Sequence, residues 1–269
     1  MGRRPVRWGQ NFLVDETVAS HIVDWSRAEG RSVLEIGPGR GILTRLLARR
    51  AERLCLVEID AELAQQLERS FEGCGRVRVV CADVLSLNLA VLLSRPTLVV
   101  SNLPYESGTA IVTRLLQQPA LIEEMVVMLQ KEVCERMLAR AGSRSYGPLS
   151  VFVTMHADVE GGMVVEPEAF RPRPRVRSRL LRVAPLAEPR YDCGDLGLFR
   201  ELVQVAFSQR RKMLRNSLQP WLEARCGRSR GGALMAEAGI DGLARAESID
   251  VARFADLSRL LKSARAADA

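Results

Sequence analysis

Short apolar runs rich in β-branched residues recur at residues 32–36, 53–57, 77–80, 97–101 and 125–129, with helical stretches at 41–50, 61–70 and 108–117 between them. Runs this short, bounded by turn residues, read as buried strands, and the longer intervening patterns read as helices. Strand-helix alternation with short connections constrains the fold strongly. It predicts a Rossmann-like, doubly wound and mostly parallel α/β sheet. Two further strand-like runs, 151–165 (interrupted by polar residues) and 178–183, are expected to complete that sheet as an antiparallel edge. Beyond Pro185 the pattern changes, and residues 196–264 are helical in character, with Ser248 expected as the N-cap of the last helix. Pro189 and Gly194 interrupt the periodicity between 187 and 195. The expected division is therefore an α/β domain at 1–188 and a small all-helical domain at 189–269.

A chain of 269 residues with 47% hydrophobic and 26% charged residues can bury one sizeable core plus a smaller second one. The first residues lack the apolar stretch of a secretory signal, and no run approaches the roughly 18 apolar residues of a membrane span, so a cytoplasmic location and no membrane partner are expected. The six cysteines form no CxxC pair and have no histidine close by, which fits neither a zinc site nor a disulfide framework. They are expected to be plain buried or half-buried thiols. Two widely separated histidines, His21 and His156, make a histidine-based triad or metal site a poor expectation, and no metal is expected.

The net charge is +7, and only three of the 39 basic residues are lysines. The basic load is uneven. Arg171, Arg173, Arg175, Arg177, Arg179, Arg182 and Arg190 face only Glu188 within 170–190, and Arg210, Arg211, Lys212 and Arg215 form a second cluster. Clusters of this kind suit a phosphate-tracking surface, although a solvated face gives the same pattern.

Three markers stand at successive strand ends. Glu35-Ile36-Gly37-Pro38-Gly39-Arg40-Gly41 follows a strand and opens a helix, where glycines permit a tight turn and bring backbone amides close to a ligand. Its spacing is not the GxGxxG of dinucleotide enzymes. About 20 residues on, Glu58 ends the second strand, where an acid can hold ribose hydroxyls. Asp60 has a structural explanation as the N-cap of the next helix. After the third strand, Asp83 can accept a hydrogen bond from an adenine amino group while Val84 offers its backbone amide to the ring.

Asn102-Leu103-Pro104-Tyr105, after the fourth strand, is the most informative tetrad in the chain. The lone pair of an exocyclic amine is delocalised into its ring and is a poor nucleophile. The Asn102 amide oxygen and the Leu103 carbonyl can both accept hydrogen bonds from such an amine, favouring a more tetrahedral nitrogen. Pro104 stiffens the loop and removes a competing donor. Tyr105 offers a face on which an extruded base can stack, worth about 1–3 kcal/mol. The bland alternative is an ordinary turn with a buried tyrosine.

These pieces, in order, resemble the small-subunit ribosomal RNA adenine dimethyltransferase (KsgA) family. The resemblance is carried by Gly9-Gln10-Asn11-Phe12-Leu13, residues 33–41 and 56–60, Ala82-Asp83, residues 102–105, 130–136 and 146–150, the segment 170–178, and 207–212. It covers nearly the whole chain. It implies a class I methyltransferase fold with S-adenosylmethionine as cofactor, contacted by Asn11, Leu13, Gly37, Glu58, Asp83 and Asn102, with Gly39 and Val84 in the same site. It also implies that Asn102, Leu103, Pro104 and Tyr105 grip the target adenine, with Phe170 as a second stacking partner. The implied substrate is a pair of adjacent adenines in the 3′-terminal hairpin loop of small-subunit RNA, each methylated twice at N6, late in assembly of the small ribosomal subunit. Arg171, Arg173, Arg175, Arg210, Arg211 and Lys212 are then the expected RNA contacts of a monomeric enzyme.

Two departures from the family pattern stand out. Arg177 occupies a position where an acid is common, and the loop Glu106-Ser107-Gly108 differs from commoner members. A large-subunit dimethyltransferase of the antibiotic-resistance type is the nearest alternative, and Leu103 and the segment 207–212 argue against it. Leu103 likewise disfavours DNA adenine methylation. A ribosome-assembly factor with dispensable catalysis is a third reading, weakened by intact Glu58, Asp83 and Asn102.

Overall fold

The computed structural model describes residues 11–228 and 230–267, so Gly9 and Gln10 of the first motif lie outside the described residues. It divides into two compact units, one built from the described residues up to Cys134 plus Asp158–Ala187, the other from Glu135–Ala157 plus the chain from Glu188 onward.

The first unit opens with β1 (Phe12–Leu13) and α1 (Glu16–Ser26), then alternates β2 (Ser32–Ile36), α2 (Ile42–Arg50), β3 (Arg53–Glu58), α3 (Ala61–Ser70), β4 (Val77–Cys81), the short α4 (Leu89–Leu92), β5 (Thr97–Asn102), α5 (Gly108–Leu116) and β6 (Ile122–Gln130). Helix α6 (Lys131–Leu138) carries the chain out of this unit, and β7 (Ala157–Val165), β8 (Phe170–Arg171) and β9 (Ser178–Pro185) return to it. Seven strands form one sheet in the order β4-β3-β2-β5-β6-β9-β7. The first five run parallel, and β9 lies antiparallel to β6. Strands β1 and β8 pair separately, Leu13 opposite Phe170.

Local chemistry explains the boundaries. Asp15 starts α1 by accepting from the amides of Thr17 and Val18 at 2.9 and 3.0 Å. Asp60 does the same for α3 through Glu62 and Leu63. Val33, Leu47, Leu54, Leu56, Val100 and Val126 belong to one buried cluster in this unit. Each such side chain contributes about 1.5–3 kcal/mol when fully removed from water.

In the second unit, α7 (Pro148–His156) precedes α8 (Leu196–Phe207), α9 (Leu214–Ser217), α10 (Gln219–Cys226), α11 (Arg230–Glu237) and α12 (Val251–Ala267). Helix α7 corrects the expectation of strand across 151–165: only 157–165 is extended. A short, mostly apolar stretch does not distinguish a buried strand from a buried helix. Here Pro148 at the start of the helix and the Val151/Met155 spacing decide it, both side chains joining this unit's core with Phe199, Leu202 and Phe254. Ser248 is not the cap of the last helix either. It lies in a 3-10 turn with its hydroxyl on the Arg245 carbonyl, and Asp250 caps α12 by accepting from the Arg253 amide at 2.9 Å.

Five cysteines are buried or half-buried as thiols, whereas Cys81, at the end of the sheet's edge strand β4, is exposed. Among the described residues no helix is long and apolar enough to cross a membrane. Arg177 is accommodated at the surface, half exposed, 3.8 Å from Glu166, with its carbonyl accepting from the Lys131 amide at 2.9 Å.

Tyr146 is almost fully buried, and its hydroxyl donates to the Ile249 carbonyl at 3.0 Å. Tyr146→Phe strands that carbonyl, so it should lower stability by about 1–3 kcal/mol. Urea unfolding followed by circular dichroism checks this; an unchanged midpoint would deny the bond its role.

Candidate active site

The cleft forms where the strand order reverses. Strands β2 and β5 pair only at Val33↔Leu98 and Leu34↔Val99. Beyond that point the Ser101 hydroxyl, not a strand carbonyl, accepts the Ile36 amide at 2.8 Å. Brought to the opening are the loop after β2, the carboxyl ends of β3, β4 and β5, and Asn11–Leu13. Together they line a cleft that is partly open to solvent. Ligands of doubly wound sheets bind at such a position.

Gly37, Gly39 and Gly41 all have positive φ. Gly39, at φ +58°, also leaves no room for a side chain, because a Cβ would sit 2.9 Å from the Phe12 ring. Arg40 lies over the same ring at 4.8 Å. The loop is pinned from below: the Gly37 amide donates to the Val57 carbonyl at 2.8 Å, and the Gly39 amide to Glu58 Oε2 at 3.0 Å. Glu58 Oε1 accepts from the Asp60 amide, also at 3.0 Å. One 2%-exposed carboxylate thus ties the glycine loop to the start of α3 while still lining the cleft. Asp83 stands on the far rim, exposed, with Oδ1 on the Leu85 amide at 2.9 Å, and Val84 lies buried beside it.

On the other wall, Asn102 Nδ2 donates to the Asn11 carbonyl at 3.3 Å. Its Oδ1 is buried without a hydrogen-bond partner. A buried orphan acceptor is costly unless a ligand supplies the donor. The Leu103 amide donates to the Met128 carbonyl at 3.1 Å and the Gly108 amide to the Pro104 carbonyl at 2.8 Å, which fixes the tetrad's backbone. Tyr105 is held by a 2.7 Å hydroxyl contact with Ser178, itself buried. Burial raises the Tyr105 phenol above its ordinary pKa, opposed by the Ser178 hydrogen bond.

The cleft therefore gathers Asn11, Leu13, Gly37, Gly39, Glu58, Asp83, Val84 and the whole tetrad 102–105. Phe170 is not among them; it is fully buried in the core of the first unit, opposite Leu13. Of the basic residues, Arg171 spends its guanidinium on the carbonyls of Glu168 and Phe170, Arg173 pairs with Glu168, and Arg210 pairs with Glu247. Arg175, Arg211 and Lys212 are exposed and make no ion pair among the described residues.

Glu35, Phe12, Ser101 and Ser178 belong to the site although their residue types alone gave no role. The visible signal for Glu35 was an acid between two apolar strand residues. It is 2% exposed with Oε2 unpartnered, and burial raises its pKa to about 8. The Thr44 hydroxyl opposes that shift, the Glu58 charge reinforces it and Arg45 opposes it.

A folded-state pKa above the unfolded 4.5 means that folding binds a proton between those values. Glu35 therefore contributes stability that is full below about 4.5 and is lost as pH rises towards about 8. The unliganded protein should have a lower urea midpoint near pH 8 than near pH 6, and Glu35→Gln should flatten that slope. A variant slope equal to that of the parent would contradict the assignment.

The family model described as ribosomal RNA adenine dimethylase matches residues 3–263. The ribosomal RNA small subunit methyltransferase A of Leptothrix cholodnii is 42% identical over 260 residues, 95% of this chain and 91% of the relative. Among solved structures, a dimethyladenosine transferase from Plasmodium falciparum superposes with a TM-score of 0.75 at 23% identity, covering 91% of this chain and 95% of that one. The 23S rRNA methyltransferase ErmE superposes with a TM-score of 0.70 at 28% identity, covering 94% of this chain and all of that one.

Proposed function

The chain belongs to the ribosomal RNA adenine dimethylase family and is a methyltransferase that uses S-adenosylmethionine, and from that premise we propose that it dimethylates N6 of two adjacent adenines in the 3′-terminal hairpin loop of small-subunit ribosomal RNA. We place its action in the cytoplasm, as a monomer, on the immature small subunit. The observation that carries this reading is the buried, unpartnered Asn102 Oδ1 at the mouth of a cleft whose far wall is built from Glu58.

The residues present fit the methyl donor. Glu58 retains lone pairs towards the cleft for ribose hydroxyls, Asp83 and Val84 stand where an adenine edge needs an acceptor and a donor, and the glycine loop lets the backbone approach closely. When bound, S-adenosylmethionine supplies an electrophilic methyl group on a positively charged sulfur. Asn102 Oδ1 and the Leu103 carbonyl accept the N–H bonds of the target amine and turn its lone pair towards the cleft. Tyr105, protonated at neutral pH, serves as a stacking face and not as a base. Positioning of this kind supplies most of the acceleration of a bimolecular transfer. A loop adenine costs less to extrude than a paired one, which suits a hairpin-loop substrate.

Arg175, Arg211 and Lys212 are proposed to bind the RNA backbone directly. Arg171, Arg173 and Arg210 contribute once their local partners are exchanged for phosphate. Phe170 is proposed as a stacking partner only if the β1–β8 pair opens. The large-subunit alternative is weakened by the difference between 42% identity to a small-subunit relative and 28% to ErmE.

Labelled methyl transfer to purified, undermethylated small subunits, followed by nucleoside analysis, tests the reading. Dimethyladenosine in the hairpin loop is expected, and transfer to large-subunit RNA instead would overturn it. Asn102→Ala should lower transfer at least about a hundredfold while leaving the unfolding free energy within about 1 kcal/mol of the parent; full activity would refute the role of Asn102. Glu58→Ala should weaken cofactor binding about tenfold or more by calorimetry with RNA affinity retained, and unchanged cofactor affinity would refute that assignment.

A further inference from the structure

Of the three acids that line the cleft, Glu58 and Asp83 have tasks in the proposed mechanism and Glu35 has none. Glu35 lines it from β2, 2% exposed, with Oε2 buried, and the Thr44 hydroxyl on α2 favours its carboxylate although these two buried oxygens close no hydrogen bond of normal geometry. The charged groups acting on Glu35 are Glu58 on β3 and Arg45 on α2, while Arg40 and Asp83 line the same cleft. Glu58 keeps both oxygens on backbone amides and serves as a fixed acceptor. Glu35 has no such anchor at Oε2. With its pKa at about 8, the protonated form dominates in the empty cleft at neutral pH. A positive charge entering the cleft reverses that balance, because a cation nearby favours the carboxylate.

We propose that Glu35 is the group by which the cleft distinguishes the cationic methyl donor from its neutral product, losing its proton to solvent when S-adenosylmethionine binds and regaining one after the methyl has left. The inference rests on the methyl-donor reading above. On donor binding, the Glu35 carboxyl O–H bond would break, its proton would go to solvent, and Glu35 would remain as a carboxylate in a cleft holding a cation. Transfer would remove that cationic charge and release one proton from the methylated amine, and Glu35 would take up one proton as the opposing charge disappears. The product is then held beside a neutral acid and lacks the charge pair that held the donor. Glu35 is a specificity-determining residue on this account.

Calorimetric titration of the full chain near pH 7, in two buffers of different ionisation enthalpy, counts the protons exchanged. S-adenosylmethionine and S-adenosylhomocysteine differ by one methyl group and its charge, so the difference between them, after subtraction of each free ligand's own amine titration, isolates the response of the cleft to the sulfonium. Donor binding should release close to one proton more than product binding. Donor affinity should rise up to about tenfold per pH unit between about pH 6 and 8, with product affinity flat. In Glu35→Gln the proton difference should vanish and the donor-to-product preference should shrink. The parent's proton count stands as a test even if that variant fails to fold. Donor and product binding with equal proton release would overturn the inference while leaving the methyl-donor reading intact. An absence of donor binding at any pH would overturn both.

Discussion

Strands β2 and β5 part after two residue pairs, and the 2.8 Å bond from the Ile36 amide to the Ser101 hydroxyl marks the parting. A parallel sheet whose strand order reverses must leave a crevice there, because the helices following the two strands go to opposite faces. The site depends on that opening. Glycines with positive φ turn the chain at its edge, and Glu58 pins them from the neighbouring strand. Asn102, at the end of β5, faces them across the gap. The same few ångströms that cannot be closed by backbone pairing hold the acceptor-rich lining that a cationic methyl donor and an amino group require.

Two carboxylates in this lining have different environments. Glu58 accepts two backbone N–H bonds and is a structural clasp that also lines the cleft. Glu35, one strand away, has an unpartnered oxygen and a pKa displaced to about 8 by burial. Desolvation is tolerable for the neutral form only, so the two acids divide the labour of permanent acceptor and charge-responsive group.

Much of this was legible in the sequence, because period and punctuation are local. The strands 32–36 and helix 61–70 follow from periodicity and from Asp60 as a cap, and the markers at Gly37, Glu58, Asp83 and Asn102 converge on one cleft. The failures were equally physical. The stretch 151–155 is mostly apolar in either reading, and the Pro148 start together with burial of Val151 and Met155 in the second unit's core makes it a helix. Asp250 rather than Ser248 caps α12, although both are good capping residues within three positions. The states of Glu35, Ser101 and Ser178 depend on partners 9 to 73 residues away, which no local pattern encodes. Phe170 shows the same limit, because its burial is set by pairing with Leu13, far away in the chain.

We propose that one cleft at the strand-order reversal holds both the methyl donor and the target amine. A crystal structure with S-adenosylhomocysteine and adenosine bound tests this directly. Cofactor ribose hydroxyls are expected on Glu58, and the amino group of the added adenosine within hydrogen-bonding distance of Asn102 Oδ1. Adenosine bound elsewhere, or Asn102 Oδ1 still without a partner in the ternary complex, would contradict it.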